Sequence, residues 1–200
     1  MIDLENTPEK DARLTEALRF CHIVRSYASR DASYRAALRH AFGHPFRTQR
    51  TDAWIAFYRA FDQVRLPERA EEDAYFIAGL ICSQGIPSEN HLGTPITSVI
   101  RNLPDADNPS AMYRLRGILP VHQHELLHKK LFGLIRYLQS RQNVVIHSGY
   151  LLNDLLRWND PSHPVQREWL HRIMGPIAHK HLPVKKEQGS TASPYDADHK

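Results

Sequence analysis

Two imidazoles one helical turn apart can hold a metal ion, and the run His124-Glu125-Leu126-Leu127-His128 has that spacing. Glu125 would stand where a carboxylate activates a metal-bound water, the arrangement of H-E-x-x-H zinc peptidases. Such a centre needs another protein ligand, and the sequence offers none in register. A His-x-x-Gly-x-x-His continuation is absent, and after Glu125 no acid occurs before Asp154. Among 13 histidines the match is expected by chance on a solvated, charge-bearing helix face, so the reading is no metal and no peptidase.

Other chemistry is no better supported. The chain has no phosphate-cradling G-x-x-x-x-G-K-[ST] loop, no G-x-G-x-x-G turn and no G-x-S-x-G elbow. Cys21 and His22 are adjacent and point to different sides of one helix, which makes Cys21 a core residue. Glu71, Glu72 and Asp73 open a helix, where favourable interaction with the helix dipole accounts for them. No catalytic residue and no cofactor are expected.

Charge is more informative. The chain carries 26 Lys and Arg against 22 Asp and Glu, with a pI near 9.1. Residues 12–69 and 111–181 each hold a surplus of six bases, and residues 70–110 between them a surplus of five acids. Most of the bases are arginine, whose planar fork suits phosphate or an acidic protein surface. Two basic blocks of this kind fit a face turned toward a polyanion. Arg35 and Arg39, four apart on one helix face, are the first basic pair.

The elements that would carry these residues read as helices. In 11–29, Leu14, Leu18, Cys21 and Val24 recur at helical spacing. A second helix spans about 31–42, with Asp31 or Ser33 as cap. The stretch 52–64 aligns Trp54, Phe57, Tyr58 and Phe61 in a stripe better suited to packing than to base stacking. A helix over 70–85 has acids in its first turn and a middle, Phe76 to Ile81, that is apolar nearly all round. Residues 86–109 hold four prolines and read as a connector with one short helix, Thr94 capping it, Pro95 at its first position and Arg101 near its end.

Helices over 110–121, 122–141, 147–158 and 165–174 follow. Leu127, Leu131, Leu134, Ile135 and Leu138 form an apolar face, and Lys129, Lys130 and Arg136 lie outside it. Val144-Val145-Ile146 is the best strand candidate and too short to found a sheet. The expected fold is all-α, two small helical lobes at 12–85 and 110–181 joined by the proline-rich connector at 86–109. An N-terminal arm (1–11) and a disordered tail (182–200) flank them. Two cysteines exclude a disulfide scaffold. No apolar run is long enough to cross a membrane and no basic-then-apolar segment opens the chain, so a soluble, cytoplasmic protein is expected.

The order of short motifs adds a resemblance. The segment 150-YLLNDLLRWNDPSHPVQREWL-170 resembles the C-terminal signature of the CasB family, the small subunit of the type I-E CRISPR surveillance complex Cascade. Asp154-Leu155-Leu156 with Trp158 stand for its leucine-rich helix, and Val165-Gln166 with Trp169 for the following one. Ahead of them come 38-LRHA-41, Phe57-Tyr58, 78-AGL-80, 93-GTPIT-97 and 134-LIRYLQS-140, in the family's order. Pro95 and Thr97 depart from the family's serine and glycine, and His40 from its second arginine.

The resemblance implies a non-enzymatic, antiviral-defence subunit present in two copies, beside the repeated backbone subunit and the large subunit. It would hold CRISPR RNA-guided target DNA and the displaced strand of the R-loop through phosphates, since base pairing reads the sequence. Arg39 and Arg101 follow from the family's basic positions. Arg35, Arg114, Arg116, Lys129, Lys130, Arg136 and Arg141 are added by face and spacing. Trp158 and Trp169 read as packing residues, and Asp154 as either a partner for a neighbouring base or a local cap. The rival reading is a free-standing helical nucleic-acid-binding or scaffold protein.

Overall fold

The computed structural model describes residues 8–48, 50–84 and 93–175. Most of the N-terminal arm, residues 86–92 of the connector and the tail at 182–200 lie outside them. The described residues form nine α-helices: α1 (Pro8–Arg30), α2 (Ala32–Arg39), α3 (Thr51–Phe61), α4 (Glu71–Ser83), α5 (Ile96–Arg101), α6 (Asn108–Ile118), α7 (His124–Arg141), α8 (Ser148–Leu155) and α9 (Pro164–Met174). The fold is all-α.

Local chemistry sets several ends. Asp31 caps α2, one carboxylate oxygen accepting from the Ser33 and Tyr34 amides at 2.9 and 3.1 Å. Pro164 begins α9 after His163, whose φ of 50° lies in the left-handed region. At α5 the expectation shifts by one residue. Pro95 is the N-cap, no side chain caps the helix, and the Thr94 backbone is engaged elsewhere. The Thr94 amide donates to the Val145 carbonyl at 2.7 Å, and the His147 amide donates to the Thr94 carbonyl at 3.0 Å. This is a lone parallel bridge between Thr94 and Ile146, the whole of what the Val144–Ile146 run yields. Gln84 completes it, its side-chain oxygen accepting from the Ile146 amide at 2.6 Å.

α4 is the hub. It packs against α1, α2, α3, α7 and α8, and residues 73–82 are all buried, as an apolar surface on every side requires. Gly79 makes this possible, because a Cβ there would meet the Ala41 carbonyl carbon at 2.7 Å. Around α4, Phe20, Phe57, Phe61 and Tyr75 form edge-to-face and stacked pairs. The aromatic stripe of α3 is packing: Phe57 and Phe61 are buried, and the Trp54 indole N–H donates to the Phe46 carbonyl. On α1 the buried side is Ala17, Phe20, Cys21, Val24 and Ala28, rotated from the leucines that the pattern favoured. Leu18 instead closes on Gly149 of α8. α5 meets α9 and α6 meets α7, and buried residues of both halves join one apolar cluster.

Candidate nucleic-acid interface

The basic candidates divide by what each already touches. Arg35 is half-buried and donates to the Ala28 carbonyl at 3.3 Å, which ties α2 to the end of α1. Arg39, one turn on, is exposed in the last turn of α2. Arg101 is exposed in the last turn of α5. Neither enters an ion pair among the described residues.

In the second block α6 and α7 pack as neighbours, and the structure brings three candidates to their seam. The guanidiniums of Arg114 and Arg141 lie over one ring, that of Tyr137, at 5.1 and 5.4 Å from its centroid. Arg141 also pairs with Asp107 at 3.4 Å, and the Tyr137 hydroxyl donates to the Asp107 carbonyl at 3.0 Å. Further along, the Lys130 ammonium sits beside Gly117. Lys129, about 100° round the helix from Lys130, instead lines a cleft with His44, Phe46, Arg47, Glu72 and His122. Arg116 and Arg136 are exposed. The seam thus gathers Arg114, Lys130 and Arg141, whereas Lys129 faces the α2–α3 junction.

Two polar networks lie beneath these surfaces. Trp158 and Trp169 are buried edge-to-face, centroids 5.2 Å apart. The Trp158 indole donates to the Val121 carbonyl at 2.7 Å, the Gln166 amide to the Trp158 carbonyl at 2.8 Å, and the Trp169 indole to Asp154 at 2.8 Å. The late sequence signature is therefore a set of buried donors with fixed acceptors. Burial pushes the Asp154 carboxyl up to about 6. The two thiols, Cys21 and Cys82, are buried and pushed up to about 12, which leaves them unreactive.

The second network was not foreseen. His124 and His128 do not form a solvated face: His124 Nδ1 lies 3.0 Å and His128 Nε2 2.7 Å from one oxygen of Asp73. Asp73 is buried, 1% exposed, so the acid missing from α7 arrives from α4. Burial drives its carboxyl up, but the hydrogen bonds and charge of the two histidines outweigh that and hold it below its ordinary value. The hydrogen bond to Asp73 raises the His124 pKa against the opposing effect of burial. Phe76 stacks on the His128 ring at 4.7 Å, and Asn159 lies 2.9 Å from His124 Nε2. Asp73, His124 and His128 are the residues able to hold a metal ion among those described. A signal was available, because Asp73 shares the face of Phe76, Ile77 and Leu80 and so points inward.

Comparison with known proteins agrees with this architecture. The profile of the family described as CRISPR-associated protein Cse2 matches residues 34–172. No curated protein matches. Among solved structures, CasB from Thermus thermophilus is 20% identical with a TM-score of 0.65, over 80% of this chain and 97% of that one. CasB of M. ruber is 22% identical with a TM-score of 0.60, over 79% and 94%. A chain of a CRISPR RNA-guided surveillance complex is 23% identical with a TM-score of 0.63, over 80% and 92%. These likenesses are of fold. No helix among the described residues is long and apolar enough to cross a membrane.

Proposed function

The chain belongs to the CRISPR-associated Cse2 family, and from that membership we propose that it is the non-catalytic small subunit of a type I-E Cascade. It works in the cytoplasm beside the repeated backbone subunit, the large subunit and a second copy of itself. Its role is to hold target DNA and the displaced strand in the open R-loop through phosphate contacts, while pairing with the guide reads sequence. The observation that carries this reading is the family match, spanning most of the chain, together with the basic α6–α7 seam.

Opening a duplex against a guide is close to balanced in free energy, so a few charge-assisted contacts to the displaced strand decide whether the open state persists. Arginines fit that task because one guanidinium offers several donors to phosphate without reading a base. At the seam, Tyr137 supports Arg114 and Arg141 from below and reduces the freedom each loses on binding. Arg39, Arg101, Arg116 and Arg136 supply exposed charge that no acid among the described residues neutralises. Arg35 contributes by placing α2, through its bond to Ala28. The helical core is the scaffold on which these charges stand.

Charge reversal at Arg114, Arg116, Lys130 and Arg136 in a reconstituted complex tests the assignment, with subunit content and displaced-strand protection followed over a salt series. The reading expects full subunit content, reduced protection and a shallower salt dependence. Lost content with unchanged protection per intact complex would place these residues on a protein interface. Tight DNA binding by the isolated chain, with no recovery of guide RNA or other subunits, would favour a free-standing nucleic-acid-binding protein.

A further inference from the structure

We propose that Asp73, His124 and His128 form a binding site for one divalent transition-metal ion of the zinc class, which staples α4 to α7. The inference is independent of the function above. His124 and His128 are one turn apart on α7, and the third donor comes from a different helix, so the site closes only in the folded chain. Two imidazoles and a carboxylate suit a borderline ion such as zinc, with water in the fourth position. One donor atom from each residue lies within 4.8 Å of the other two. The two nitrogen-to-oxygen separations are 2.7 and 3.0 Å. Donors around a tetrahedral zinc ion stand about 3.3 Å apart, so the two histidine-to-aspartate separations open by a few tenths of an ångström while the two nitrogens, within 4.8 Å of each other, settle around the ion.

The surroundings hold the rings for that role. Phe76 lies parallel to His128, interplanar angle 5°, and fixes its plane. His124 presents Nδ1 to the centre, and its other nitrogen meets the Asn159 side chain. With the Asn159 amide turned over, its oxygen accepts from His124 Nε2–H, the outer-shell bond that sets the tautomer of a metal-bound imidazole. A cleft of about 810 Å³, lined by His44, Glu72, His122 and Glu125, reaches His124 and His128 from solvent and gives the ion a path. On binding, each imidazole offers a lone pair in place of an N–H, its proton passing to the other ring nitrogen or to solvent, while Asp73 stays ionised.

The test uses the full-length chain stripped with chelator, then titrated with Co²⁺ and, in competition, Zn²⁺. One equivalent of Co²⁺ should produce the intense visible absorption of a four-coordinate ion, displaced by one equivalent of Zn²⁺, and Zn²⁺ should raise the thermal midpoint. His128→Gln and Asp73→Asn should each weaken binding at least about 100-fold. The double change His22→Gln/His171→Gln, at two exposed rings outside the cleft, should leave it unaltered. If Asp73→Asn fails to fold, His124→Gln and His128→Gln carry the same comparison. Absence of a stoichiometric signal would overturn the site, as would loss of binding with the surface pair rather than with the cluster.

Discussion

Trp169 donates its indole N–H to Asp154 at 2.8 Å, and Asp154 is a carboxylate that burial has raised to about 6. The neighbouring Arg172 and Arg157 draw its pKa down, but burial dominates. Its folded value lies above the 3.8 of an exposed aspartate, so the proton is bound more tightly in the folded chain. The resulting stability is complete below about pH 3.8, is lost as pH rises through about 6, and leaves a charged, partly buried carboxylate above that. Asp154→Asn keeps an acceptor for Trp169 and removes the charge. Urea unfolding should show the variant more stable at pH 8, by on the order of 2 kcal/mol, and nearly level with the parent at pH 4. Equal stability at pH 8 would mean that the charge on Asp154 is not penalised by its surroundings as described.

Trp158 is fully buried and gives its one polar atom to Val121. Trp158→Phe keeps most of the packing but leaves that carbonyl without its donor, a loss of about 1–3 kcal/mol. Trp158→Ala adds a cavity and should reach about 3–5 kcal/mol. Denaturant midpoints of the three proteins, at constant slope, would give the order.

Two glycines in helix interiors should respond with opposite sign. A methyl group added at Gly79 would press on the backbone at Ala41 and Phe42, atoms that cannot swing aside. Despite its better helix propensity, Gly79→Ala should cost about 1–3 kcal/mol. A Cβ at Gly133 meets nothing within 4 Å, and Gly133→Ala should stabilise by up to about 1 kcal/mol. Thermal unfolding of the pair checks both directions.

Arg35 and Arg39 should also separate. In the assembled complex Arg39→Ala is expected to lower the log–log salt slope of DNA association by about one while leaving the melting temperature unchanged. Arg35→Ala should lower the melting temperature, because it frees α2 from the Ala28 carbonyl. A slope change from Arg35 alone would invert the assignment.

Helix positions are legible in the sequence because apolar residues at 3.6-residue spacing, punctuated by turns such as Gly43-His44-Pro45, leave few alternatives. The caps show the limit. Asp31 can be read as a cap from its own neighbourhood, whereas the engagement of Thr94 depends on Val145 and His147, some fifty residues away. The same reason hid the site. Local spacing puts His124 and His128 on one face, and it cannot show that α4 carries Asp73 to them. Basic residues outside a leucine stripe are visible as such, but only packing distinguishes Lys129 in its cleft from Lys130 beside Gly117.

The pairing of α1 with α8 sets a timetable for synthesis. Residues 8–30 meet α2, α3 and α4 first and their last partner at residues 148–155, so the side of α1 that faces α8 waits while more than a hundred residues are added. At about 5–20 residues per second that interval is on the order of ten seconds. Through it, Leu18 lacks the Gly149 backbone on which it finally closes. A nascent chain stalled before α8 should therefore be recognised by chaperones and cut readily within its first helix, and one stalled well beyond α9 should resist both.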